Sequence, residues 1–129
     1  MRVVLADDSG LILERLQEMI ASYSQTEIVG SLQNGTDTLD ALRTLKPDLA
    51  IVDIKMPGLS GLEVLNAIKK ENNDIKIIIL TFYSSDHYRQ IAIQSGADYF
   101  FNKVDDFDKL SMVVAGMVMK EMNENKNQN

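Results

Sequence analysis

The sequence predicts an α/β domain in which five parallel strands form one doubly wound sheet covered by five helices. Three observations carry this. Five short apolar runs recur along the chain, each followed by an amphipathic stretch with helical spacing. The runs are apolar at successive positions rather than alternate ones, as strands buried on both faces require. The residues with most chemistry to offer (Asp7, Asp8, Asp53, Thr81 and Lys103) fall at the ends of those runs, where open α/β sheets gather their ligands.

Val3 to Ala6 reads as the first strand, ending in Asp7-Asp8-Ser9-Gly10. Ser9 has the chemistry of an N-cap for a helix whose apolar face is Ile12, Leu13, Leu16, Met19, Ile20 and Tyr23. Glu27 to Leu32 is the second strand. Asn34-Gly35 is expected as a turn, followed by a helix carrying Leu39, Leu42 and Leu45 that must stop before Pro47. Leu49 to Val52 is the third strand and runs into Asp53. A loop with Pro57 and Gly58 leads to a helix with Leu62, Val64, Leu65 and Ile68. Ile75 to Leu80 is the fourth strand, ending at Thr81, and a fourth helix covers Asp86 to Ser95 before Gly96. Asp98 to Phe101 is the fifth strand, ending near Lys103. The last helix is expected from Asp106 to Met122, giving a domain over residues 1–122 and a polar, disordered tail over 123–129. On that helix Phe107, Leu110, Val114, Met117 and Val118 share the core face, while Met112, Ala115 and Met119 fall on a flank that should be exposed.

At 129 residues with 45% hydrophobic content the chain suits one domain with a real core. It has no cysteine, which excludes disulfides, zinc–thiolate sites and thiol catalysis. No apolar run approaches the roughly 18 residues of a membrane span, and the opening residues do not resemble a secretory signal, so a cytoplasmic location is expected. The net charge is −6, with bases scattered and no basic stripe, so direct nucleic-acid binding is not expected.

A single Asp at a strand end is usually a turn or cap residue, and Thr81 or Lys103 alone would be unremarkable. Together they are not. Three carboxylates converging on one sheet edge repel one another without a cation, and an all-oxygen set with few protein ligands suits Mg²⁺. Lys103 and Thr81 add donors for a phosphoryl group, and a carboxylate can itself be the nucleophile that forms an acyl phosphate. The only histidine, His87, lies on the fourth helix and reads as a surface residue, which leaves no convergent general base.

Asp7-Asp8, then Asp53-Ile54-Lys55-Met56-Pro57-Gly58 with Gly61, then Thr81 and Lys103 resemble the bacterial response-regulator receiver family, in its single-domain, chemotaxis-receiver-like form. The resemblance covers Arg2 to about Met122. It implies the flavodoxin-like strand order 2-1-3-4-5, phosphotransfer to Asp53 from a histidine kinase or phosphotransfer protein, and a metal held by Asp8, Asp53 and the backbone carbonyl of Lys55, with Asp7 acting through water. Thr81 and Lys103 would hold phosphoryl oxygens, and Phe100 falls at the aromatic switch position. The chain would thus be a phosphoacceptor switch that catalyses its own phosphorylation and dephosphorylation rather than an enzyme on an external substrate. Its output would pass through a downstream protein target and a possible homodimer on the face of the fourth helix, fifth strand and fifth helix. Departures from the pattern are Phe82 where a small residue is usual, Lys55 and Tyr83 at two rate-modulating places, and Lys103-Val104 where Lys-Pro is common. Without the proline, the Lys103–Val104 peptide is expected trans. A haloacid-dehalogenase-type phosphatase would need Asp-x-Asp where Asp53-Ile54-Lys55 stands. A flavodoxin proper would need a Ser/Thr/Gly-rich phosphate loop after the first strand, and no Gly-x-Gly-x-x-Gly supports a dinucleotide site. The remaining alternative is an interaction module that keeps the fold without being phosphorylated.

Overall fold

In the computed structural model, which describes residues 1–72 and 74–127, strands and helices alternate without exception: β1 (Arg2–Ala6), α1 (Gly10–Ala21), β2 (Glu27–Leu32), α2 (Gly35–Leu45), β3 (Leu49–Val52), α3 (Gly61–Glu71), β4 (Lys76–Thr81), α4 (Asp86–Gln94), β5 (Tyr99–Asn102) and α5 (Phe107–Asn127). The five strands form one parallel sheet in the order β2-β1-β3-β4-β5. This is the order the resemblance implied.

Period-two side-chain alternation divides the apolar strands between two cores. Val4, Ala6, Ala50, Val52, Ile77 and Ile79 face α2, α3 and α4, where Leu42, Leu65 and Ile68 close over them. Val3, Leu5, Leu49, Ile51, Ile78 and Leu80 face α1 and α5, against Leu16, Ile20, Leu110 and Val114. All twelve strand residues named are buried, which is why they read as continuous apolar runs rather than alternating ones. Four helices begin on side-chain caps. Ser9, Asn34 and Ser85 each accept a backbone N–H three residues on, and Ser60 completes a reciprocal capping box with Glu63.

Two sequence expectations need correction. Asn34-Gly35 is not a free-standing turn: Asn34 caps α2 by accepting the Asp37 N–H, and Gly35 is already helical. An Asn-Gly pair satisfies either role, and here tertiary contact decides, because a Cβ at Gly35 would lie 1.8 Å from the Leu59 carbonyl oxygen. The last helix also continues past Met122 to Asn127, so residues 123–127 are helical rather than irregular, and 128–129 lie outside the described residues. Once a helix exists, each further residue adds a hydrogen bond at small cost, and no glycine or proline interrupts this stretch. The core face of α5 is as expected, with Phe107, Leu110, Val114 and Val118 buried and Met117 half-buried, while Met112 and Met119 are 74% and 64% exposed.

The β3–α3 connection holds Asp53 by close backbone packing. Gly61 donates its N–H to the Ile54 carbonyl at 2.8 Å, and a Cβ at Gly61 would fall 1.9 Å from the Asp53 carbonyl oxygen. Backbone cannot yield as a flexible side chain would, so Gly61→Ala is expected to destabilise the fold by about 1–3 kcal/mol in urea unfolding, the usual range for overpacking. A loss below about 0.5 kcal/mol would mean that this contact does not constrain the loop.

Candidate functional site

Sheet register brings the strand-end residues together. Ala6 is level with Val52, so Asp7 and Asp53, one residue further along adjacent strands, emerge side by side. The Asp53 N–H donates to the Ala6 carbonyl at 3.0 Å, and the Lys103 N–H donates to the Thr81 carbonyl at 3.0 Å. These bonds extend the ladder one residue past the strands and fix the origin of each side chain.

The Lys103 ammonium then reaches back across the sheet edge. Its Nζ lies 2.6 Å from Asp7 Oδ2 and 2.8 Å from Asp53 Oδ2, and all three residues are buried. The other oxygens are held by backbone donors, Asp7 Oδ1 by the Ser9 N–H at 2.9 Å and Asp53 Oδ1 by the Ile54 N–H at 2.7 Å. Asp8 is exposed. It nonetheless offers an oxygen that lies, with one each from Asp7 and Asp53, in a group within 4.8 Å of one another, the only such acidic cluster among the described residues. Three hard oxygen donors from two adjacent strand ends suit a small divalent cation.

Thr81 is buried at the end of β4, and its Oγ1 accepts the Tyr83 N–H at 3.1 Å. Phe100, expected as a switch residue, is also buried, with the Arg89 guanidinium 4.9 Å from its ring centroid, so its ring already lies inside. Lys55 is exposed on the loop after β3. Phe82, 57% exposed, places its ring centroid 4.8 Å from Lys103 Nζ and so roofs the ammonium that joins the two acids. His87 is exposed, as expected.

Two contributors were not read from the sequence. Asn102 Oδ1 accepts the N–H groups of Val104 and Asp105, its own N–H donates to Asp106 Oδ2, and its Nδ2 donates to Ser84 Oγ. This knot shapes the turn that aims Lys103 with no cis peptide among the described residues. An Asn followed two to four residues later by N–H groups and an Asp is a recognisable Asx signal, here hidden at the end of a strand. The second is Tyr88, whose ring meets that of Tyr83 edge to face at 6.2 Å and lies 6.0 Å from Lys55 Nζ, tertiary contacts that no sequence pattern signals.

Burial works against the Asp7 carboxylate and holds its pKa above the ordinary aspartate value, although the Lys103 and Ser9 hydrogen bonds oppose the rise. Burial likewise opposes the Lys103 charge, but the bonds to Asp53 and Asp7 outweigh it and raise the ammonium's pKa. A groove of about 830 Å³ lies elsewhere, at the opposite edge of the sheet beside Asp98, Tyr99 and Met117, and includes none of these residues.

The arrangement is that of an open α/β domain with a buried lysine and an acid cluster at the carboxyl edge of its sheet, and comparison with known proteins gives the family. The response regulator receiver domain matches residues 3–115, and the chain belongs to that family, the receiver modules of two-component signalling. The chain is similar to the response regulator GacA of Pseudomonas viridiflava, 32% identical over 102 residues that make up 79% of this chain and 48% of that protein. It is also similar to the protein-glutamate methylesterase/protein-glutamine glutaminase of Clostridium acetobutylicum, 32% identical over 98% of this chain and 39% of that protein. The chain thus spans about half or less of the length of these relatives. Among solved structures, the response regulator domain of Thermotoga maritima CheB superposes with a TM-score of 0.81 at 26% identity, covering 95% of this chain and 96% of that one. No helix among the described residues is long and apolar enough to cross a membrane.

The raised Asp7 pKa has a definite consequence. The native chain binds a proton where the unfolded chain has already released it, so Asp7 makes metal-free protein less stable as pH rises from the ordinary aspartate value through the raised one. Lys103 changes stability in the same direction but in a separate, alkaline window: it stabilises below its unfolded pKa and loses that contribution as pH rises through the raised folded value. Urea unfolding in chelator between about pH 4 and 7 should show a fall in wild type that is shallower in Asp7→Asn. Parallel profiles would contradict the assignment.

Proposed function

We propose that this chain is a Mg²⁺-dependent phosphorylation switch whose acceptor is Asp53, charged by a histidine kinase or a phosphotransfer protein. The observation that carries this is the buried Lys103 ammonium spanning Asp7 and Asp53 at the carboxyl edge of the sheet, with Asp8 completing an acid cluster beside it. An ion pair serving stability alone would not need a third carboxylate within reach. Asp7, Asp8 and Asp53 fit Mg²⁺, with the Lys55 backbone carbonyl as a further oxygen donor. The ion would supply charge neutralisation for the acids and the incoming phosphoryl oxygens.

The chain's own residues do the rest. The Ile54 N–H fixes Asp53 Oδ1, which leaves Oδ2, on the lysine side, as the attacking oxygen. Oδ2 forms the new bond to phosphorus while the donor's phosphorus–nitrogen bond breaks, and the imidazole leaves with that electron pair. Lys103 then donates to phosphoryl oxygens in place of Oδ2. The Thr81 hydroxyl, now accepting from the Tyr83 N–H, turns to donate to the phosphoryl group. That releases the loop after β4 and lets Phe100, with Arg89 on α4, reset the surface. Catalysis is thus of the chain's own aspartyl phosphorylation and hydrolysis. The functional unit includes the whole of α5, to Asn127, and acts in the cytoplasm. Output passes to a downstream protein, with the α4–β5–α5 face and its exposed Met112 and Met119 as the surface for that target or for a homodimer.

Intact mass after incubation with acetyl phosphate and Mg²⁺ tests the acceptor. Wild type should gain one phosphoryl group and Asp53→Asn none, and equal labelling would overturn the assignment. Because the Phe82 ring roofs Lys103, Phe82→Ala should label and dephosphorylate faster, by up to about a hundredfold if the ring misplaces small donors and water by roughly 1 Å. Unchanged rates would mean that the ring is no barrier.

A further inference from the structure

Lys55 stands two residues beyond Asp53, on the loop that leads from β3 to α3. With three carboxylates nearby and only Lys103 set between them, a second lysine here is expected to pair with an acid. It does not: none of the salt bridges among the described residues involves Lys55. Its Nζ lies instead 5.1 Å from the Tyr83 ring centroid and 6.0 Å from that of Tyr88. The two rings meet edge to face with centroids 6.2 Å apart.

Both tyrosines belong to the neighbouring strand's connection. Tyr83 is on the loop after β4, where its N–H donates to Thr81 Oγ1. Tyr88 is in the first turn of α4, where its N–H donates to the capping Ser85 hydroxyl, and its ring packs partly against the core under α4. One flexible cation therefore ties the acceptor's loop to the start of α4. It does so through aromatic faces, which hold an ammonium only weakly at an exposed site and release it readily.

We infer that the Lys55 side chain is a phosphoryl-binding sensor: its ammonium rests on Tyr83 and Tyr88 until a phosphoryl group is bound at Asp53, then moves to the phosphoryl oxygens and unfastens the start of α4. The inference rests on the phosphoacceptor reading above. Phosphorylation adds about −1.5 to −2 charge beside a cluster already rich in acid, and Lys103, which is also bonded to Asp7, is a single ammonium for that charge. Lys55 is the nearby cation with a long stem, solvent access and no anionic partner. A full anion attracts it far more strongly than the quadrupole of a tyrosine ring. The route differs in origin from that of Thr81 and Phe100, since it starts from charge on the β3–α3 loop rather than from a hydroxyl on β4, and the two meet at Tyr83, whose N–H donates to the Thr81 hydroxyl.

NMR of the wild-type chain in Mg²⁺, with and without beryllofluoride as the phosphoryl mimic, tests this directly. Protons over a ring face are shielded, so the Lys55 Hε signals should lie upfield of ordinary lysine in the free chain, and Tyr83→Leu, at an exposed position, should reduce that displacement. Beryllofluoride should return Lys55 Hε towards the ordinary lysine position and shift the Tyr88 ring signals, while the Asp53 and Ile54 amides report occupancy of the site. Hε signals that stay in place while those amides move would overturn the sensor, as would an ordinary lysine position in the free chain. No change at Asp53 and Ile54 would overturn the phosphoacceptor reading itself, and the sensor with it.

Discussion

A buried ammonium shared by two buried carboxylates is the constraint around which this protein is organised. Lys103, Asp7 and Asp53 come from three strand ends separated by up to 96 residues, and the lysine reaches both acids at hydrogen-bond distance. Such an arrangement is a poor source of stability. Desolvating the charges costs much of what their attraction returns, and removing one partner from a buried pair typically costs about 3–5 kcal/mol, because the other is left uncompensated. The fold tolerates the site because the strands that hold it, β1, β3 and β4, have no polar residue in their interiors and supply both cores. The apolar layers stabilise the sheet, and the sheet edge is left to hold charge.

The same logic explains the rigidity of the surroundings. Gly61 against the Asp53 carbonyl, the Asn102 knot before α5 and the Ser85 cap on α4 each fix a loop at the functional edge by backbone contacts. The aromatic residues after β4 are different. Phe82 and Tyr83 are exposed and hold the cations of Lys103 and Lys55 through ring faces, contacts that are weak and reversible. The edge therefore combines a fixed acid pocket with a loosely held hood, the combination that the proposed phosphorylation switch would need.

Much of this was legible in the sequence. Strand positions followed from uninterrupted apolar runs, and the site residues from their placement at run ends, because a parallel sheet covered on both faces allows few other arrangements. β2 was found from end to end, and Ser9 was identified as a cap. What escaped depends on contacts between distant segments. The cap at Asn34 was masked by a dipeptide that serves equally as a turn, and only the Leu59 carbonyl explains Gly35. The end of α5 carries no stop signal, so its extent follows from propagation rather than from a capping residue. The sequence showed Phe82 and Lys55 as departures from the family pattern, but not that their partners would be a cation and two rings.

On the proposed function, the strand ends deliver one acid pocket that binds a single divalent cation beside Lys103. Titration with Mg²⁺, followed by the carboxylate ¹³C signals of Asp7, Asp8 and Asp53 and by the ammonium ¹⁵N of Lys103, measures this most directly. One ion per chain should shift all four groups along a single saturating curve. Carboxylates that respond at separate concentrations, or an Asp53 signal that does not respond at all, would contradict it.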